Sequence, residues 1–186
     1  MKNRNTLPYV RTGLFLVLLV FVGNIPEGMA LSETDFQTIG SRYGVSPYLL
    51  LAISVMESQA GELTGIYEVQ KVVDSTQLKF LQKIARHTRR GISEFKGSRS
   101  GAMGYMQIVP STFYTYAQDG DGDGIKDPLN SYDSLATAAY FLARTIAVKS
   151  NLRTALRSYN NSSVYCNKVL KLSSELELES KLAARR

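Results

Sequence analysis

The stretch from Pro47 to Glu57, PYLLLAISVME, leaves the chain few options. Ser46 is a hydroxyl N-cap and Pro47 fits the first helical position, so a helix starts here. Leu49, Leu50, Leu51, Ala52, Ile53, Val55 and Met56 then make it apolar on nearly every side. Such a helix can only be buried, and other elements must wrap it. Its last turn carries Glu57, followed by Ser58, Gln59, Ala60 and Gly61. An apolar wall disfavours a carboxylate, and so does the negative end of a helix dipole. Both predict a raised pKa, the property a general acid needs near neutral pH. A Glu at the first exposed position of a core helix is the plainer reading of these residues alone.

The N-terminus reads as a leader. Lys2, Arg4 and Arg11 precede the apolar run Gly13 to Gly23, and Gly28-Met29-Ala30 supplies small residues for cleavage after Ala30. The run is short for a bilayer span, and no cysteine near the cleavage site suggests a lipid anchor. The expectation is a signal peptide over 1–30 and an exported protein, periplasmic or associated with the cell wall. Of the 22 basic and 16 acidic residues, three and one fall in this leader, so the mature chain keeps a net charge of +4. That suits an anionic polymer or surface. With no recognition motif and an exported chain, nucleic acid is not an expected partner. A stable membrane span is not expected either.

Cys166 is the only cysteine and reads as a buried, inert thiol, so no internal disulfide can form. His87 is the only histidine and lies among Arg86, Arg89 and Arg90, where it reads as solvated. One of each excludes a zinc site of the usual kind. It also argues against Ser-His-Asp and Cys-His mechanisms.

The mature chain patterns as helices throughout. Leu31 to Arg42 forms one, entered at Ser32 or Thr34, and 47 to 58 the buried one. Residues 62 to 73 are ambiguous. Asp74 or Ser75 caps a helix to Arg90 that Gly91 ends, and a loop runs from Gly91 to Gly104. A short aromatic helix covers 110 to 117. Asp133 caps a helix to about Lys149, Asn151 caps one to Tyr159, and Ser162 or Ser163 caps the last. There are no repeats and no convincing strand pair, so the fold class is all-α. The domain is expected over 31–172, with 173–186 a charged tail that frays or forms an exposed amphipathic helix.

Two further segments carry chemistry. In Ser98 to Thr112, SRSGAMGYMQIVPST, Gly101 and Gly104 let the backbone turn sharply or approach a ligand. Tyr105 offers a flat apolar face and Gln107 a two-way amide, a pair suited to a sugar ring and its N-acetyl group. In DGDGDGIKDPLNSYD, Asp119, Asp121 and Asp123 with Gly124 in the sixth place match the first half of a calcium loop. Ile125 would add its carbonyl. The twelfth place holds Asn130 rather than a bidentate Glu, so Asp133 is the expected bidentate ligand. The calcium ion is read as structural, pinning the following helix to the aromatic one. Ser93-Glu94-Phe95-Lys96 fits a Ser-x-x-Lys pattern but lacks the companion elements of penicillin-recognising enzymes, and it is set aside.

Together, Met56-Glu57-Ser58, Gly101 to Gln107, Pro110-Ser111-Thr112, the Asp-Gly repeat and Tyr159-Asn160 resemble the lytic murein transglycosylases, closest to the membrane-bound B-type branch. The resemblance spans roughly residues 36 to 170. It implies a lysozyme-like (goose-type) helical domain with an EF-hand-like calcium loop. It also implies cleavage of the MurNAc–GlcNAc β-1,4 bond of peptidoglycan without water, leaving 1,6-anhydroMurNAc ends. By it, Glu57 is the catalytic acid, Ser98 positions substrate near it, and Gln107, Tyr159 and Asn160 line the groove. Asp119, Asp121, Asp123, Asp133 and the Ile125 carbonyl fall on the calcium ligands. The branch's peptide-gripping arginine pair has no counterpart in context, Arg89-Arg90 being the only adjacent arginines in that region.

The residues agree with a single-carboxyl mechanism. Ordinary glycosidases need two carboxylates. Here one Glu serves as acid and then as base for the C6 hydroxyl, while the substrate's acetamido carbonyl is the internal nucleophile. Glu62, if it faced the groove, would favour hydrolysis. The alternatives are a goose-type lysozyme acting on the same bond and a non-catalytic, calcium-stabilised wall-binding module. Expected partners are peptidoglycan glycan strands. The small size leans toward opening a local hole for an envelope-spanning secretion or conjugation machine.

Overall fold

The computed structural model describes residues 31–185, so the expected leader lies outside the described residues. Among the described residues eight α-helices occur in this order: α1 Glu33–Tyr43, α2 Pro47–Ser58, α3 Val69–Val72, α4 Ser75–Thr88, α5 Pro110–Tyr116, α6 Ser131–Lys149, α7 Leu152–Tyr159 and α8 Ser163–Ala183. The all-α expectation holds in the main, with α2 at the centre as its composition demands. Leu50, Ala52 and Ile53 of α2 are sealed from solvent, alongside Leu135, Ala138 and Leu142 of α6 and Val169 of α8. Side-chain caps fix the helix starts. Ser46 accepts from the Leu49 N–H, Asp74 from Thr76 and Gln77, and Ser32 closes a capping box with Asp35.

Four expectations need correction. A strand pair exists after all. β1 (Tyr67–Glu68) pairs antiparallel with β2 (Lys96–Gly97), and bridges Gly97–Met103 and Met103–Ile108 extend the ladder. Two-residue strands carry no readable alternation, so sequence pattern could not find them. The cap of α6 is Asn130, whose Oδ1 accepts from Tyr132 and Asp133, and Asp133 sits inside the first turn instead. α4 ends at Thr88, with Arg89 as a left-handed C-cap (φ 58°), ahead of Gly91. Finally, residues 173–183 form a helix, one of the two expected outcomes, but it is not a free one. They continue α8, which packs along α2: Leu176 is buried, and the Tyr48 hydroxyl meets Ser180 Oγ at 2.8 Å. Among the described residues no helix is long and apolar enough to cross a membrane.

Candidate active site

Glu57 stands on the last turn of α2, where the helix must stop. Gln59, Ala60 and Gly61 follow with φ of 51°, 55° and 98°, turning the chain away from the helix axis. Burial raises the Glu57 carboxyl above its ordinary value, and an interaction with the Tyr165 hydroxyl partly opposes this. The direction is the one the apolar helix predicts.

Tyr165, on α8, is the residue sequence reasoning missed. It is 8% exposed, and its hydroxyl makes no hydrogen bond among the described residues. It lies close enough to Glu57 to feel the carboxyl, yet not in a fully formed hydrogen bond. Burial first, then the Glu57 charge, push its own ionisation upward. A lone tyrosine six residues beyond Tyr159 gives no sequence signal. Only the packing of α8 on α2 brings it to the acid.

The glycine-rich turn is clamped beside α2 from three sides. Ser58 Oγ donates to the Tyr105 carbonyl at 2.6 Å and accepts from the Gly61 N–H at 2.9 Å. The Met106 N–H donates to Ser134 Oγ of α6 at 3.0 Å, and the Tyr159 hydroxyl donates to the Met106 carbonyl. Gly104 has no room for a side chain, since an added Cβ would lie 1.9 Å from the Pro128 carbonyl oxygen, at φ 69°. This is why the motif needs glycine there.

The other expected site residues divide. Tyr159 reaches the site: burial and the Glu57 charge both raise its hydroxyl above the ordinary value. Its ring packs edge-on against Phe141. Asn160 caps the end of α7 and is exposed. Gln107, at φ 48°, commits its amide nitrogen to the Thr64 and Gly104 carbonyls, each at 2.9 Å. It therefore ties the post-Glu57 loop to the turn. Ser98 Oγ accepts from the Ala102 N–H at 3.1 Å and lies 2.9 Å from Ser100 Oγ. Tyr105 corrects the expectation of an open face. Its ring is 5% exposed, packed 6.4 Å from Phe36 and covered by Gly61. Glu62 is an exposed turn residue. Arg90 is engaged elsewhere, with Nε donating to Asp127 at 2.6 Å and Nη1 near Glu94.

In the Asp-rich loop, carboxylate oxygens of Asp119, Asp121 and Asp133 all lie within 4.8 Å of one another. Asp133 is 1% exposed and accepts from the N–H groups of Gly120 (2.6 Å) and Asp127 (2.7 Å). Burial, with the charges of Asp121 and Asp119 adding, pushes its carboxyl up to about 6 against those two bonds. Three converging hard oxygens that repel one another suit a hard cation such as calcium. Asp123 stands outside this cluster, accepting from the Ile125 N–H at 2.7 Å, so of the expected ligands it fits least directly. Ile125 has an apolar side chain and could offer only its carbonyl.

A helical domain with one half-buried carboxyl beneath a clamped glycine-rich turn defines the lysozyme-like class of fold. Residues 26–151 match the family described as Transglycosylase SLT domain, and the chain belongs to that family. It is 29% identical over 117 residues to membrane-bound lytic murein transglycosylase B of Escherichia coli K12, covering 54% of this chain and 32% of that protein. The chain thus spans about a third of the length of that relative. Among solved structures, soluble lytic transglycosylase SltB1 of Pseudomonas aeruginosa superposes with a TM-score of 0.73 at 17% identity. The match covers 90% of this chain and 89% of that one. Escherichia coli Slt35 in complex with calcium gives 0.69 at 18%, covering 89% and 84%. SltB3 of Pseudomonas aeruginosa, solved with NAG-anhNAM-pentapeptide, gives 0.67 at 22%, covering 77% and 60%. At these identities the structures speak for the fold.

Proposed function

We propose that this chain is an exported lytic transglycosylase that cleaves the MurNAc–GlcNAc β-1,4 bond of peptidoglycan and leaves 1,6-anhydroMurNAc ends. The observation that carries this reading is Glu57, a single carboxyl raised by burial at the end of an apolar helix. In the first step Glu57 donates its proton to the glycosidic oxygen as the C1–O bond breaks. The substrate's acetamido oxygen bonds to C1 in place of the leaving sugar. In the second step the Glu57 carboxylate takes the C6 hydroxyl proton, O6 bonds to C1, and the acetamido group is released. No water enters and Glu57 ends protonated.

Around it, Tyr159 and Ser58 hold the Gly101–Gln107 turn against the acid. Ser98 and Asn160 present polar groups to the glycan, Gln107 fixes the groove wall, and Tyr105 acts through its backbone. Asp119, Asp121 and Asp133, with Asp123 and the Ile125 carbonyl, hold a structural calcium ion. Residues 1–30 serve as the leader. Residues 31–183 form one domain, since α8 absorbs most of the expected tail.

The test is mass spectrometry of muropeptides released from purified sacculi, beside Glu57→Gln. Products lighter by one water that vanish in the variant support the proposal. Reducing ends would identify a hydrolase of the goose-type kind. No release by either form would favour a wall-binding module.

A further inference from the structure

A cavity of about 320 Å³ opens between α4, α5, α6 and the Asp-rich loop, lined by His87, Phe113, Tyr114, Gln118, Lys126 and Tyr140 among others. None of its lining residues belongs to the Glu57 site. Its size is at the lower end of ligand clefts, which run roughly 300–1,000 Å³. The mechanism proposed above does not use it.

Two features mark it as a place for a ligand. The first is charge. Lys79, Lys83 and Arg86 lie along the exposed side of α4 at helical spacing, and Lys126 stands on the cavity rim; none makes an ion pair among the described residues. None of the nearby carboxylates pairs with these cations among the described residues. Asp127 holds Arg90, while Asp119, Asp121 and Asp123 accept backbone N–H groups of their own loop. The second is the aromatic wall. Tyr114 is 46% exposed, and Lys83 Nζ sits 5.0 Å from its ring centroid and 5.3 Å from that of Phe80. One tyrosine thus joins the cavity to the basic face. Gln118 contributes shape rather than bonding, because its amide is filled by the Tyr43 hydroxyl and by the carbonyls of Tyr116 and Ala117. The hydroxyls of Tyr114 and Tyr140 and the Lys126 ammonium, without a partner among the described residues, remain for a ligand.

We infer that this cavity is a second binding site, taking an acidic peptide with free carboxylates; the source of that peptide, the stem peptides of the wall polymer, rests on the function proposed above. A neutral glycan offers the unpaired ammonium groups no opposite charge. A phosphate polymer would meet the same cations but leave the aromatic wall of Phe113, Tyr114 and Tyr140 without a partner. Carboxylates with short apolar side chains match both the ammonium rim and the aromatic wall. Binding here holds the enzyme on peptide-bearing strands while Glu57 works on the glycan.

The experiment is calorimetric titration of the purified chain with a soluble acidic stem peptide free of sugar, with its fully amidated counterpart, and with polyphosphate. A peptide without sugar has no bond for Glu57 to cleave, so binding is read independently of turnover. The acidic peptide is expected to bind, the amidated one to bind at least tenfold more weakly, and Lys126→Gln and Lys83→Gln each to weaken the acidic peptide several-fold. These two exposed lysines make no tertiary ion pair, so the variants keep the fold, which circular dichroism checks. Backbone amide shifts should cluster at His87, Tyr114 and Lys126. Equal binding of the two peptides, no binding, shifts clustered around Glu57, or displacement of the peptide by polyphosphate would each overturn the inference. Peptide binding without glycan cleavage would sink the transglycosylase reading and leave this site standing; cleavage without peptide binding would do the reverse.

Discussion

Glu57 is held between two opposing influences, and each can be removed separately. Burial raises its carboxyl, so the folded state favours the protonated form. Stability from that form is fully present below the unfolded pKa and is lost as pH rises through the higher folded value. Glu57→Gln should therefore abolish turnover and melt no lower than the parent at pH 7. The gain is about 1.4 kcal/mol for each pH unit by which the carboxyl is raised, fading below about pH 4 where the parent is also neutral. Melting curves at the two pH values check this. A variant that unfolds at pH 7 would make Glu57 a structural residue. Tyr165 works the other way, because its hydroxyl lowers the Glu57 pKa. Tyr165→Phe should move the alkaline limb of the pH–rate profile upward, by as much as about one unit. Since the hydroxyl is buried without a full hydrogen bond, its loss should cost no stability and should add up to about 1 kcal/mol. An unchanged pH profile would reduce Tyr165 to packing.

At the level of elements, α2 and its cap were readable because nearly every side of the helix is apolar and Ser46-Pro47 marks its start. The raised Glu57 carboxyl was readable for the same reason: a carboxylate ending such a helix has nowhere comfortable to ionise. The turn over it was readable only in part. Gly101 and Gly104 announced tight backbone, but the burial of Tyr105 depends on Phe36 and Gly61, which are distant in sequence. The cap of α6 was misassigned because Asn130 and Asp133 have equal chemistry for the role, and only the loop's path chooses between them. α8 shows how tertiary burial overrides a charged composition. Its sequence ELELESKL looks exposed, yet Leu176 is 7% exposed and Ser180 bonds Tyr48 of the central helix. Deleting residues 173–186 should therefore destabilise the domain rather than trim it. The lost Leu176 contacts alone are worth about 2–5 kcal/mol by comparison with core truncations. A deletion variant with an unchanged melting temperature would restore the idea of a dispensable tail.

For the whole molecule, the Asp-rich loop is the joint that sets α5, α6 and the turn over Glu57 relative to one another. Asp133 draws in both ends of the loop through Gly120 and Asp127, Pro128 abuts Gly104, and Ser134 holds Met106. Without a cation, three close carboxylates work against this arrangement; burial raises the Asp133 carboxyl first, and the charges of Asp121 and Asp119 add to it. A calcium ion would remove the repulsion and bind the folded state alone. At a free concentration one hundred times its Kd, it adds about 2.7 kcal/mol. For a chain of this size that corresponds to roughly 5–10 °C in Tm. EDTA should lower Tm by that amount, and magnesium should restore less of it because it demands a tighter octahedron. Asp121→Asn removes one charge from the cluster and should abolish most of the calcium-dependent shift while raising the Tm measured in EDTA, since repulsion is relieved. That crossed outcome separates a metal site from an acidic turn. If calcium leaves the Tm of the parent chain unmoved, the joint is held by its hydrogen bonds alone.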